Sequence, residues 1–197
     1  MYKDIYDACN KINEGRSTLS IVDLGARYGE GYELFGVNYP EASYTFVEPS
    51  DRCTPNIKNL ISKYPNAKLR LIDGVLGSKS GKLEFFQLEN DNDQSGNLFS
   101  DRDGCYGPST KKTVNVYDYK SIFSQIDFVK CNIEGAEYSL IEGGFFDIVN
   151  CFVMEVHNSH VPNKNYKNAI DLLSSRFDLT LWGNPHYKYC FINGIKK

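Results

Sequence analysis

The chain has 197 residues, of which 41% are hydrophobic and 24% are charged, the composition of an ordinary globular domain. Its net charge of −3 argues against a nucleic-acid-binding surface, and no apolar run approaches the length of a membrane span. Six cysteines are scattered without a C-x-x-C pair and the polar N-terminus lacks the pattern of a secretory signal, so we expect a cytoplasmic location.

The first predicted elements are a short helix over residues 2–14 and a strand over residues 19–24 that runs into a glycine-rich turn, LSIVDLGARYGEG. Glycine permits positive φ and a close approach to a ligand, and the free N–H groups of a following helix face the same place. Such a strand–turn–helix unit is typical of nucleotide-like cofactor sites at the carboxyl end of a parallel sheet.

Helices and strands then alternate as far as residue 88, where a polar segment begins. The predicted elements are a helix over 33–38, a strand over 43–47, a helix over 51–64, a strand over 67–72, and a strand that follows a turn through residues 77–81.

Residues 89–112, ENDNDQSGNLFSDRDGCYGPSTKK, are polar, rich in glycine and almost free of aliphatic side chains. Two interpretations remain open, a disordered surface loop and a lid over a binding site. If the segment is a lid, we expect it to be mobile without an acceptor and to cover the site when the acceptor binds.

The second half of the chain continues the alternation and ends in a hairpin. The predicted elements are ordered chain over 114–119, a short helix over 119–124, a strand over 126–133, a helix over 138–142, a strand over 151–156, a helix over 165–177 and hairpin strands over 178–182 and 187–192. Strands that alternate with helices predict an α/β fold with a doubly wound, mostly parallel sheet, to which the hairpin adds a C-terminal antiparallel strand.

Four blocks of the sequence, in this order, resemble the FkbM-type methyltransferases that use S-adenosylmethionine (SAM). The blocks are VDLGARYGEG at 22–31, FVEPS at 46–50, DGVLGSKSGKLEFF at 73–86 and IDFVKCNIEGAEYSLIEGG at 126–144. The resemblance implies a seven-stranded, Rossmann-like class I methyltransferase fold, SAM as the cofactor, and O-methylation of a sugar or glycan hydroxyl, with a deoxyhexose such as rhamnose as one candidate.

Other functions stay open beside this one. The acceptor could be a polyketide-like or other small-molecule hydroxyl, and the chain could be a non-catalytic module that binds SAM or a nucleotide. A nicotinamide-dependent oxidoreductase is disfavoured, because the glycines are spaced G-x-x-x-G-x-G rather than G-x-G-x-x-G.

The resemblance also assigns the cofactor-binding residues. Asp23 lies two residues before the first glycine, where a carboxylate suits the cationic amino group and sulfonium of SAM. Glu48 ends the second strand, and a carboxylate there can accept hydrogen bonds from both ribose hydroxyls. Asp73 corresponds to a residue that contacts adenine, although it could simply cap the turn before Gly74. The turn adds four further residues, Gly25, Ala26, Arg27 and Gly29.

Two positions depart from the family pattern. Arg27 stands where the family has asparagine, and its guanidinium could reach the cofactor carboxylate, an anionic acceptor or solvent. Asn132 stands where the family has aspartate. An amide can accept a hydrogen bond but cannot act as a base, which weakens any mechanism that needs an acid at this position.

The predicted catalytic residues follow two neighbouring strands, as the pairs Asn132-x-Glu134 and Glu155-x-His157. Spacing by two residues points both members of a pair to the same side of a strand, and the carboxyl ends of parallel strands share one edge. The alternative is that these residues cap helices or bind backbone groups. Neutral His157 could act as the general base.

Alternatively, Glu134, Glu155 and His157 could hold a divalent cation, Mg²⁺ or Mn²⁺, that activates the attacking hydroxyl. In either case we expect the partner to be a small-molecule or glycan acceptor, with no nucleic acid and no membrane segment. Residues 1–197 are expected to form one methyltransferase domain, which could itself belong to a longer protein.

Overall fold

The structure, a computed structural model, describes residues 18–88, 96–97, 109–157, 164–182 and 189–197. The predicted helix over 2–14 and most of the predicted lid segment lie outside the described residues.

The described strands and helices follow the predicted alternation. The strands are β1 (Ser20–Leu24), β2 (Ser43–Glu48), β3 (Lys68–Asp73), β4 (Val75–Gly77), β5 (Gly81–Leu88), β6 (Gly96–Asn97), β7 (Ser109–Asp118), β8 (Ile126–Cys131), β9 (Val149–His157), β10 (Phe177–Trp182) and β11 (Tyr189–Lys196). The helices are α1 (Glu30–Leu34), α2 (Thr54–Lys63), α3 (Tyr119–Ile122), α4 (Glu137–Glu142) and α5 (Tyr166–Leu173), with 3₁₀ turns at Gly36–Asn38 and Phe145–Ile148.

Seven strands form the main sheet, in the order β3-β2-β1-β8-β9-β11-β10. Strand β1 pairs in parallel with β2 on one side and with β8 on the other, so the strand order reverses between β1 and β8. The closing strand β11 runs antiparallel to both β9 and β10. The predicted doubly wound, mostly parallel sheet with a C-terminal hairpin is therefore confirmed, and its switch point creates a crevice at the carboxyl ends of β1 and β8.

The main sheet is buried on both faces, because neighbouring residues of its central strands enter opposite cores. Ile21 packs with Tyr44, Phe46 and Ile57 on the face that α2 covers. Val22, next along the chain, belongs to the core on the other face. Four consecutive buried residues, Ile21 to Leu24, are what a parallel strand covered on both faces requires.

A second sheet was not predicted, and it corrects one boundary of the polar segment. Strands β4, β7, β5 and β6 form a separate four-stranded sheet in that order. Residues 109–112, placed in the loop by their polarity, form the first part of β7 and pair with β5, from Leu88 opposite Ser109 to Phe85 opposite Lys112. The side chains of residues 109–111 are exposed to solvent, which explains why this part of a strand is polar.

Two predicted helices change at their ends. The helix predicted over 165–177 ends at Leu173, since Phe177 already pairs with Lys196 as the first residue of β10. The helix predicted over 33–38 is α1 followed by a 3₁₀ turn. The longest described helix, α2, has 10 residues, so no described helix is long and apolar enough to cross a bilayer.

Candidate functional site

A cavity of about 610 Å³ lies at the switch point of the main sheet. Its lining combines residues that end β1 and β2 or follow β8 with apolar side chains of the second sheet, namely Leu76, Leu83, Phe85 and Val116. A volume of this size accommodates a nucleotide-like ligand. The second sheet thus supplies a wall of the candidate site that the sequence patterns did not reveal.

The glycine turn after β1 is packed so tightly that its first glycine has no substitute. Gly25 has φ +70°, and a Cβ built on it would lie 1.9 Å from the backbone oxygen of Asn132. Its N–H donates to the oxygen of Val47 at 3.0 Å, and Lys130 Nζ donates to its carbonyl at 2.6 Å. The turn is therefore tied to β2 and β8 at once, and it brings the backbone of Gly25 to the cavity wall.

The rest of the turn is partly buried. Ala26 is 2% exposed, and Gly29, with φ +87°, packs so closely on Leu60 that a Cβ would lie 2.6 Å from its side chain. Arg27 is exposed and lines the cavity with φ +53°, and its guanidinium lies 5.0 Å from the centre of the Tyr28 ring.

Asp23 lies behind the turn and is not among the residues that line the cavity. Its side chain is fully buried, with Lys130 Nζ 2.9 Å from Oδ1 and the Tyr44 hydroxyl donating to Oδ2 at 3.0 Å. A buried carboxylate needs this compensation, which Lys130 provides from the facing position of β8. The carboxylate organises the turn, and its direct contact with a cofactor remains a prediction.

Glu48 lies on the cavity wall at the end of β2 and is only 6% exposed. The N–H of Arg27 donates to its Oε2 at 2.8 Å and the N–H of Ser50 donates to its Oε1 at 2.9 Å, which fixes the carboxyl group. Burial raises the pKa of Glu48 to about 7, although the two hydrogen bonds and Lys130 oppose that rise. A fixed carboxyl group at this point is suited to bind a diol.

Asp73 occupies the facing position of β3 but has a different environment. Its side chain is 56% exposed, lies 4.0 Å from Lys58 Nζ, and is not among the lining residues. The next residue, Gly74, does line the cavity. The acids that end β2 and β3 thus differ in exposure, since Glu48 is buried and Asp73 is exposed. The adenine contact predicted for Asp73 is not supported by its position.

The four predicted catalytic residues lie together at the ends of β8 and β9. Asn132 and Glu134 line the cavity, while Glu155 and His157 are not among the lining residues. Asn132 Nδ2 donates to Glu155 Oε2 at 3.0 Å. His157 Nε2 lies 3.4 Å from Glu134 Oε2 and 3.5 Å from Glu155 Oε1.

The position of His157 disagrees with its predicted role as a neutral base. The imidazole is 3% exposed, and burial alone would lower its pKa. Hydrogen bonds to Glu137 and Glu155, together with the charges of Glu137 and Glu134, instead raise the pKa of His157 to about 10. At neutral pH the ring is an imidazolium, which can donate protons to hydrogen bonds but cannot accept one.

The same arrangement argues against Glu134, Glu155 and His157 as ligands of Mg²⁺ or Mn²⁺. Within the described residues, no group of three or more histidine, cysteine, aspartate or glutamate side chains is placed to hold a metal ion. The imidazolium itself lies between Glu134 and Glu155 and supplies the positive charge there. The donor set does not fit a divalent cation.

Two further residues of the site were missed by sequence reasoning. Glu137 is fully buried, and Lys130 neutralises Asp23. A signal existed for each, since Lys130 is a charge inside the apolar strand IDFVKC and Glu137 is the second acid of the motif Glu-Gly-Ala-Glu. Their partners could not be identified, because strand register and side-chain rotamers decide them.

Several solved structures are similar to this fold. The precorrin-6y C5,15-methyltransferase of Geobacter metallireducens GS-15 has a TM-score of 0.54 at 10% identity, over 98% of this chain and 88% of that one. A fibrillarin/Nop5p complex has a TM-score of 0.55 at 14% identity, over 96% and 80%. The N-terminal domain of human METTL16, in complex with SAH, has a TM-score of 0.51 at 11% identity, over 98% and 68%.

This chain has the fold of the class I methyltransferases. No model of a known protein family matches the sequence, and no curated protein matches it. At these low identities the structural similarity establishes the fold alone, and the FkbM resemblance remains a prediction.

Proposed function

We propose that this protein is a SAM-dependent O-methyltransferase that acts on a hydroxyl of a sugar or glycan. The observation that carries the proposal is the cavity at the switch point, which has the buried Glu48 on one wall and Asn132 and Glu134 on another. The METTL16 domain, which has the same fold and was solved in complex with SAH, supports the cofactor, and the four sequence blocks that resemble FkbM-type enzymes support the acceptor.

The residues of the cavity fit SAM. The carboxyl group of Glu48, fixed by two backbone N–H groups, can accept hydrogen bonds from the ribose hydroxyls. Gly25 brings its backbone to the wall, and apolar side chains of the second sheet offer a surface for the base. When bound, SAM would supply a methyl group already activated by a cationic sulfur.

Glu134 and Asn132 are the polar groups of β8 available to an acceptor. Asn132 Oδ1 is buried and has no hydrogen-bond partner among the described residues, so a hydroxyl donor would satisfy it. The Glu134 carboxylate is placed to orient the acceptor hydroxyl and to take its proton during a transfer in which SAM would supply the methyl group and leave as SAH. The proton then passes from Glu134 to solvent.

A polyketide-like or other small-molecule acceptor is the second candidate. The apolar wall formed by Leu76, Leu83, Phe85 and Val116 favours it, because such a wall suits a less polar acceptor as well as a base. For either acceptor we propose a small molecule or glycan rather than a nucleic acid, since the chain carries a net charge of −3.

Calorimetry and methyl transfer together test the proposal. We expect SAM and SAH to bind and NAD not to bind. With SAM labelled in its methyl group, we expect transfer to at least one compound in a panel of monosaccharides, their methyl glycosides and small phenols, with Glu134→Gln as the control of strongly reduced activity. Binding of NAD alone would indicate an oxidoreductase, and SAM binding without transfer to any class of acceptor would indicate a non-catalytic module.

A further inference from the structure

The backbone at Glu134 is strained at the point where its side chain reaches the cavity. Among the described residues other than glycine, only Arg27 and Glu134 have positive φ, and both line the cavity. Glu134 has φ +55° and is followed by Gly135 with φ +101°. A left-handed conformation is unfavourable at a residue with a Cβ, so surrounding contacts must hold it.

The contacts that hold this turn converge on Glu137. The N–H of Gly135 donates to Glu137 Oε2 at 2.8 Å. The other oxygen, Oε1, accepts the backbone N–H of His157 at 2.7 Å and lies 3.1 Å from His157 Nδ1. One fully buried carboxylate thus joins the Glu134 turn to the end of β9.

His157 transmits that constraint back to Glu134. With Nδ1 held by Glu137, the ring directs Nε2 toward Glu134 Oε2 at 3.4 Å and Glu155 Oε1 at 3.5 Å. Of the three carboxylates around the ring, Glu134 alone lines the cavity, with a side chain 20% exposed. Glu137 is fully buried, and Glu155 accepts a hydrogen bond from Asn132.

We infer that Glu137 and His157 are a buried positioning pair that fixes the Glu134 carboxylate at the acceptor side of the cavity. The inference rests on the proposed methyl transfer, in which Glu134 contacts the acceptor hydroxyl. Glu137 acts through Glu134, by the backbone at Gly135 and by the imidazole of His157. This assigns His157 to the support of the acceptor-binding group rather than to proton abstraction.

The fold supplies a matched control at the opposite ends of the same strands. Asp127 is a buried carboxylate that accepts the N–H of Ser20 at 2.9 Å with one oxygen and Asn150 Nδ2 at 3.1 Å with the other. Asp127→Asn and Glu137→Gln make the same chemical change. Each removes one of two acceptor oxygens from a buried carboxyl group. Asp127 links β8 to β1 and β9, and Glu137 links the turn after β8 to the end of β9.

The decisive experiment measures kcat with labelled SAM and the fastest compound of the panel, together with the SAM dissociation constant. We expect Glu137→Gln to lower kcat at least 30-fold and to change SAM affinity less than twofold, while Asp127→Asn keeps kcat within threefold. The double variant Glu134→Gln/Glu137→Gln should be within threefold of Glu134→Gln alone, because the second residue acts through the first. Multiplicative losses, or an equal loss in Asp127→Asn, would overturn the inference.

Amide hydrogen exchange keeps the inference testable if the wild type methylates no panel compound, which would count against the proposed function alone. We expect the amides of Gly135 and His157 to exchange at least 10-fold faster in Glu137→Gln than in the wild type. In Asp127→Asn, we expect the same increase for the amide of Ser20. Unchanged exchange at Gly135 and His157 would overturn the inference. If Glu137→Gln does not fold, His157→Gln replaces it in the kinetic cycle, because it removes the Nε2 contact and leaves Glu137 in place.

Discussion

Strands β8 and β9 are joined by buried carboxylates at both ends, and the two ends are built differently. At the amino end, Asp127 accepts hydrogen bonds from two neutral donors, the N–H of Ser20 and Asn150 Nδ2, and Gln125 Nε2 in turn donates to Asn150 Oδ1 at 3.0 Å. At the carboxyl end, three carboxylates surround one imidazole, and the backbone of Glu134 is strained.

The difference indicates which end is structural and which is functional. A single carboxylate with neutral donors ties strands together without strain. Several like charges around one cation are costly to bury, and a strained backbone adds to that cost, so such an arrangement persists where it serves a site. Only the carboxyl end borders the 610 Å³ cavity.

Removing the charge that faces the cavity should have the largest effect. We expect Glu134→Gln to lower methyl transfer by about 10²–10⁴-fold, because the amide can neither take a proton nor hold the hydroxyl as strongly. Glu142→Gln is the control, since Glu142 lies at the other end of α4 and pairs with Lys164 on the surface. Kinetics with labelled SAM give the answer, and near-normal turnover in Glu134→Gln would remove the functional distinction between the two ends.

Disturbing the close packing of Gly25 on the backbone of Asn132 should have the next largest effect. Gly25→Ala forces a Cβ against the oxygen of Asn132 at a positive φ, and we expect it to lower the free energy of unfolding by about 3 kcal/mol. Gly81→Ala is the control, because its Cβ would meet nothing within 4 Å. Urea unfolding measures both variants, and equal stabilities would show that the turn can shift away from β8.

Glu48 and Asp73 lie at facing positions of the carboxyl edge, and they should differ in their effect on SAM binding because only Glu48 is buried. We expect Glu48→Ala to weaken SAM binding by about 1–3 kcal/mol, through lost charge-assisted hydrogen bonds. Asp73→Ala should weaken it by less than about 0.5 kcal/mol, because that side chain is exposed and lies beside Lys58. Calorimetry measures both, and an equal loss would restore the adenine contact that the family resemblance implies.

The sequence was sufficient to locate this edge. Mainly apolar segments such as IDFVKC and CFVMEV predict buried strands. Polar residues near the carboxyl ends of neighbouring parallel strands lie at the same edge of the sheet. For this reason the structure brings together Asn132, Glu134, Glu155 and His157. Their roles depended on more. The protonation of His157 depends on several carboxylates, among them Glu137, which lies 20 positions earlier in the chain and becomes its partner only through the fold.

The second sheet could not be predicted for a different reason. Strands β5 and β7 are joined by residues of which most lie outside the described ranges, and their pairing is non-local. The lysines of β7, at 111 and 112, are exposed or paired with Glu84 and Asp51, so the strand carries the polarity of a loop. A strand that is exposed on one face and charged in its first half shows too weak an alternation of polar and apolar residues to be detected.

The smallest expected effect is a pH dependence of stability that should appear at the carboxyl end of β8 and β9 and not at the amino end. The folded-state pKa of His157 is raised to about 10 from an ordinary 6.5, so its contribution to stability is complete below pH 6.5 and is lost as pH rises through 10. We therefore expect the stability advantage of the wild type over His157→Gln to fall by about 2 kcal/mol between pH 7 and pH 9. The advantage over Asp127→Asn should change much less in that range, because the Ser20 N–H and Asn150 Nδ2 that bind Asp127 are neutral donors. Urea unfolding at the two pH values measures both differences. A pH-independent advantage over His157→Gln would mean that the imidazole is neutral, and it would return His157 to the role of general base.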